Sequence, residues 1–253
     1  MDVTLSMFLI VCPVCFLAGI MNSSCGGGGL ISLPALLLAG LPAHMAIGTN
    51  KLQAICGLAV ANIRYARKGF LNAKLALFTI AFAIVGSLIG SHISLLCNET
   101  LLTYFIVFVI PFVAFFTFRK NVLTDGNEDD LRPTPKLIAT CCAIALCIGT
   151  YDGFYGPGSG TFLVLALSGI AHLDVRHASA HAKIVNLTTN VIATGVFLAN
   201  GQVMVLLGLA GGLCNIAGAF IGSELIIQKG SFAMKPLIAL AFVLLVLKLV
   251  IGF

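Results

Sequence analysis

Apolar residues fill ten blocks of this chain, at about 5–21, 30–40, 46–63, 73–96, 100–118, 136–151, 160–171, 178–198, 203–227 and 232–252. About 20 helical residues cross the hydrocarbon core of a bilayer, and eight of the blocks predict full spans. The other two, 30–40 and 160–171, predict short helices of about 18 Å, too short for a core of ~30 Å. The one long polar stretch, Arg119 to Lys136, carries Asp125, Glu128, Asp129, Asp130 and two prolines, and falls in mid-chain. It divides the chain into a first membrane repeat, 1–118, a polar cytoplasmic linker, 119–135, and a second repeat, 136–253. The expected fold is an all-α polytopic membrane protein with 8 full spans plus 2 short segments.

The two halves follow one pattern. In the first, the glycine run Gly26–Gly29 leads into a short apolar segment ending at Gly40, then a polar turn and a helix starting near Ala46 that carries Thr49-Asn50-Lys51. In the second, Gly156-Pro-Gly-Ser-Gly160 leads into a segment ending at Gly169, then a turn and a helix starting near Ala178 that carries His181-Ala-Lys183. Lys51 follows Gly40 by 11 residues and Lys183 follows Gly169 by 14, so the second turn is three residues longer. Such internal duplication is common in secondary transporters.

Composition supports the membrane reading: 59% of the 253 residues are hydrophobic and 9% charged, with a mean hydropathy of +1.09. The first segment lacks the basic start of a cleaved leader and is expected to stay as a span. Seven of the nine cysteines, Cys12, Cys15, Cys56, Cys141, Cys142, Cys147 and Cys214, lie in apolar segments, where they act as small hydrophobes. No metal set is expected. The net charge of +5 is explained by loop position rather than by a nucleic-acid partner. If both short segments carry the chain across, each half makes five passes and the repeats are inverted. With the N-terminus outside, Arg64, Arg67, Lys68, Lys74, Arg119, Lys120, Arg132, Lys136, Arg176, Lys229 and Lys235 then all become cytoplasmic, as the positive-inside rule favours. Lys248 is left to snorkel near an external end.

Glycine clusters before short helices break the chain, admit a second backbone and leave free N–H groups at the next helix start. With the positive end of the helix dipole, those groups suit an anion. Irregular backbone at membrane depth is tolerated where it lines a cavity, so Gly27, Gly28, Gly29, Gly158, Ser159, Gly160 and Thr161 are candidate substrate-binding residues. Scattered glycines such as Gly86, Gly90, Gly208 and Gly218 are expected to serve close helix packing. A lysine within a span costs ~2.5–3.5 kcal/mol on insertion scales, so Lys51 and Lys183 are candidates too. Thr49, Asn50 and Asn186 add uncharged partners for an oxyanion. Asp152, at the second break, and His181 are candidates to couple transport to H+ or Na+. Gly-x-Ser-x-Gly fails at Pro157 and Thr161, GxGxxG fails at Thr161, and no ATP-binding motif occurs, so neither an enzyme nor a cofactor is expected.

The stretches GGGGLISLPALLLAGLPAHMAIGTNK (26–51), YDGFYGPGSGTFLVLALSG (151–169) and HAKIVNLTTNV (181–191) resemble the sulfite exporter TauE/SafE family, and the order and duplication match over nearly the whole chain. Cys25 stands where another glycine is common. The resemblance implies transport of a small sulfur-containing or organic anion through a bacterial inner membrane, in either direction. A gated anion channel built from the same parts is the alternative, and a homo-oligomer is compatible with either.

Overall fold

Backbone in hydrocarbon must satisfy its own N–H and C=O groups, which drives apolar runs into helices. A computed structural model of the protein describes residues 4–24, 26–98, 100, 102 and 133–229. Among them are eight helices: α1 Leu5–Ser24, α2 Gly29–Leu38, α3 Ala43–Arg67, α4 Ala73–Leu96, α5 Pro135–Phe154, α6 Ser159–Gly169, α7 Val175–Ala199 and α8 Val205–Lys229. The chain is all-helical over these residues. Nearly all of the predicted span 100–118, the predicted span 232–252, nearly all of the linker, and Cys25, Lys235 and Lys248 fall outside them.

Five of the helices, α1, α4, α5, α7 and α8, are long and apolar enough to cross a membrane, while α2 and α6 have only 10 and 11 residues. Helix α3 is as long as α7, at 25 residues, but Thr49, Asn50, Lys51, Gln53 and Asn62 make it more polar. Both α3 and α7 begin three residues before the starts read from hydropathy. Pro42 and Asp174 set those starts, and the Asp174 carboxylate accepts from Arg176 N–H at 3.0 Å. Asn72 and Thr134 cap α4 and α5 in the same way.

Polarity runs inside out. Leu5, Leu9, Leu96 and Leu213 are at least 70% exposed, while Lys51, Gln53, Asp152, His181 and Lys183 are at most 2% exposed. Water would reverse that arrangement; lipid tolerates it. The helices pair across the chain: α1 packs on α8, α4 on α5, and α3 on both α7 and α8, with α4 also on α7. Helix α2 rests on α1 and α3, as α6 rests on α5 and α7. Small residues permit the close pairs. A Cβ at Gly218 of α8 would stand 2.9 Å from Ile20 N of α1, and one at Gly86 of α4 would stand 2.6 Å from Leu146 O of α5.

Candidate functional site

The two interruptions meet. Helix α1 stops at Ser24 and α2 starts at Gly29, while α5 stops at Phe154 and α6 starts at Ser159. Gly26 at the first break, φ +79°, lies against Gly160 of the second, where an added Cβ would stand 2.6 Å from Gly26 Cα and 2.8 Å from its carbonyl oxygen. Only glycine fits both places. A Cβ on Gly29 would likewise stand 3.2 Å from Pro157 Cα. Gly28 and Gly158 stand at the N-caps of α2 and α6 without a side-chain cap, so the positive ends of both helix dipoles face the breaks, while Leu30 and Ser159 N–H close turns onto Gly27 and Gly156 carbonyls at 3.0 Å.

Between the breaks lies a polar cavity. Gly29 and Ser159, the first residues of the two short helices, both line it. So do Gly26 and Gly156, and Asn22 and Asp152. Each of these three pairs is separated by 130 residues. Asn50, Lys51 and Ala54 from α3 and Asn186 and Asn190 from α7 complete the wall.

Lys51 and Lys183 are each the ninth residue of their 25-residue helices. The Lys51 ammonium donates to the Asp152 main-chain carbonyl and stands 3.5 Å from Asp152 Oδ1. The Lys183 ammonium donates to the Ser24 carbonyl at 3.4 Å. Both carbonyls belong to the last turns of helices, where acceptors are unsatisfied and the dipole is negative. Each ammonium thus serves the C-terminal end of a helix that stops at a break.

Asp152 is the most heavily bonded side chain of the site. Its Oδ1 accepts from Ser159 Oγ at 2.8 Å, and its Oδ2 accepts from the Thr189 hydroxyl and, at 3.4 Å, from Asn190 Nδ2. Asn190 also donates to Asn186 Oδ1 at 2.8 Å. On the facing helix, Asn50 Oδ1 accepts from Ser32 Oγ at 2.5 Å and Gln53 Nε2 at 2.7 Å, and Gln53 Oε1 accepts from the Cys15 thiol.

The structure therefore gathers Gly29, Asn50, Lys51, Asp152, Ser159 and Asn186 at one cavity, with Gly160 beside Asn186 Nδ2. Gly158, φ +82°, turns the chain into α6, and Thr161 is buried in the first turn that follows. Gly27 accepts from Leu30 N–H at 3.0 Å in the first turn of α2. Other candidates lie elsewhere. A Cβ on Gly28 would meet Asn22 Cβ of α1 at 2.7 Å, so this glycine serves helix contact. Thr49 Oγ1 accepts from Met204 N–H at 2.9 Å, tying α3 to the turn before α8. His181 Nε2 accepts from Asn72 N–H at 3.3 Å, at the start of α4. Asn22, Thr189 and Asn190 were not among the sequence candidates. Asn22 carries a readable signal, since it stands 130 residues before Asp152; Asn190 lies one turn beyond Asn186 on the same face.

The sequence model described as "Sulfite exporter TauE/SafE" matches residues 11–249. A probable membrane transporter protein, ORF9, of Sinorhizobium sp is 34% identical over 98% of this chain and 94% of its own. A probable membrane transporter protein of Haemophilus influenzae is 31% identical over 99% of this chain and 97% of its own. The probable membrane transporter protein YfcA of Escherichia coli K12 is 32% identical, covering 93% and 87%. No solved structure matches the chain. The chain belongs to the TauE/SafE family of membrane transporters.

Proposed function

We propose that this TauE/SafE-family chain is a multi-pass secondary transporter. It carries a small anion, namely a sulfur oxyanion, an organosulfonate or a small organic acid, across a bacterial inner membrane. One observation carries the reading: the uncapped N-termini of α2 and α6 open on the cavity that Lys51 lines. Backbone amides, a helix dipole and an ammonium group together are what a desolvated oxyanion requires. Ser159, Asn50 and Asn186 supply uncharged partners at the same wall.

An inverted-repeat organisation, 1–118 against 136–253, accounts for the packing. Exchanging α1–α4 with α5–α8 leaves the main contacts unchanged: α1 on α8 becomes α5 on α4, and α3 on α7 maps onto itself. The cavity then lies on the pseudo-two-fold axis, where rocking of one half against the other would expose it to each side in turn. Lys183 occupies the position equivalent to Lys51 and takes the anion in the opposite-facing state.

Thermal melting of purified protein with sulfite, sulfate, thiosulfate, sulfoacetate and small carboxylates identifies the ligand, because binding to the native state raises apparent stability. Uptake of that ligand into proteoliposomes is then expected to fall sharply in Lys51→Met and Lys183→Met. Full uptake in the double variant would rule the site out.

A further inference from the structure

Asp152 stands where an incoming anion has to bind. The residue is 2% exposed; its main-chain carbonyl accepts from the Lys51 ammonium, and its carboxylate Oδ1 stands 3.5 Å from the same group. A second negative charge at Lys51 would meet this carboxylate in a medium that screens poorly. The four side chains around the carboxylate are Lys51 and Asn190, which only donate through the atoms involved, and Ser159 and Thr189, whose hydroxyls turn. Thr189 has an alternative acceptor already in reach, the Asn186 carbonyl at 2.9 Å. With Asp152 neutral, Thr189 donates to Asn186 O and accepts the acid proton on its oxygen. The shell therefore satisfies both protonation states without rearranging a helix.

The titratable neighbours are few. Lys51 faces Asp152 from α3, while α6 and α7 present Ser159, Thr189 and Asn190. Tyr151 on the same helix donates to Pro157 O at 2.7 Å. Lys74 and His92 of α4 are exposed, and Lys183 lies seven residues, about 10 Å of helix, before Asn190 on α7. A sodium ion would have to displace Lys51 from Oδ1 or Thr189 and Asn190 from Oδ2, so a proton suits this carboxylate better.

We propose that Asp152 carries the proton that crosses with each anion, a mechanism that rests on the anion-transporter reading above. The exchange balances: the Lys51 ammonium–Asp152 carboxylate pair, one proton and one anion become the Lys51 ammonium–anion pair and a neutral Asp152 carboxyl. Release on the far side reverses it, and the restored ion pair closes the site. Anion and proton move in the same direction.

The test uses the full-length protein in proteoliposomes with a lumenal pH dye, membrane potential clamped at zero and no sodium. Methanesulfonate and thiosulfate serve as probes because neither takes up a proton near neutral pH, so any proton signal comes from the protein. Entry of the transported probe is expected to acidify the lumen by one proton per anion. An acid-outside difference of one pH unit should raise accumulation about tenfold, and in Asp152→Asn the ratio of uptake with and without the gradient should fall to about one. Probe entry without acidification, accumulation that follows a sodium gradient instead, or gradient-driven accumulation in Asp152→Asn would each overturn the proposal while leaving an anion transporter. Entry of neither probe, nor of any anion in the melting panel, would remove both. The wild-type dye signal stands even if Asp152→Asn fails to fold.

Discussion

Lys51 and Lys183 occupy the same register in α3 and α7, and each reaches across to a main-chain carbonyl in the other half, at Asp152 and Ser24 respectively. The two contacts differ in one respect: Asp152 adds a carboxylate at 3.5 Å from Lys51, whereas the residue contacted by Lys183 is a serine. Substituting Lys51 therefore bears directly on a buried carboxylate.

Lys51→Met leaves the buried Asp152 carboxylate without its cation, and breaking such a pair costs about 3–5 kcal/mol. Lys183→Met takes the donor from the Ser24 carbonyl, which it meets at 3.4 Å, and its melting is compared with that of Lys51→Met. Adding Asp152→Asn to Lys51→Met should recover much of the lost stability. Melting of wild type, Lys51→Met, Asp152→Asn and their double variant in detergent measures the coupling, and a double variant no more stable than Lys51→Met alone would contradict it.

Gly26→Ala and Gly160→Ala place a methyl group into the facing backbone, and at Gly26 the left-handed φ of +79° adds strain. Both should lose stability and transport together. Gly195 is the control: nothing lies within 4 Å of a Cβ there, and it sits within α7, so Gly195→Ala should stabilise by about 0.5–1 kcal/mol. Equal melting shifts at the three positions would contradict the close approach of the two breaks.

Arg64 pairs with Glu224 at the end of α8, with the two side chains 24% and 39% exposed, and its guanidinium also lies 5.2 Å from the Phe220 ring. A pair this accessible contributes about 0–1 kcal/mol. Glu224→Gln should barely move the melting temperature, in contrast to Lys51→Met.

Thr49→Val keeps the shape of the side chain but takes the acceptor from Met204 N–H, which it meets at 2.9 Å. A buried amide left unpaired costs about 1–3 kcal/mol. Stability should fall by that much. Ligand affinity measured by titration should fall less than in Asn50→Leu, because Asn50 lines the cavity and Thr49 does not.

The membrane class, the two short helices, the glycine breaks and both buried lysines were legible in the chain, because each depends on local composition or on the spacing of two similar halves. The helix starts were read three residues late at α3 and α7, since Pro42 and Asp174 act through local caps that hydropathy does not weigh. The ion pair of Arg64 with Glu224, 160 residues away in sequence, leaves no mark in local composition.

By itself the sequence determined which residues would be expensive to bury and that they recur once per half, since burial cost is a property of residue type and recurrence a property of order. Only the tertiary structure decided that Gly26 would touch Gly160 and that Lys51 would face Asp152 across 101 residues. Those contacts follow from how one half crosses the other. That geometry is fixed by the summed packing of α1 on α8, α4 on α5 and α3 on α7, and no local pattern encodes it.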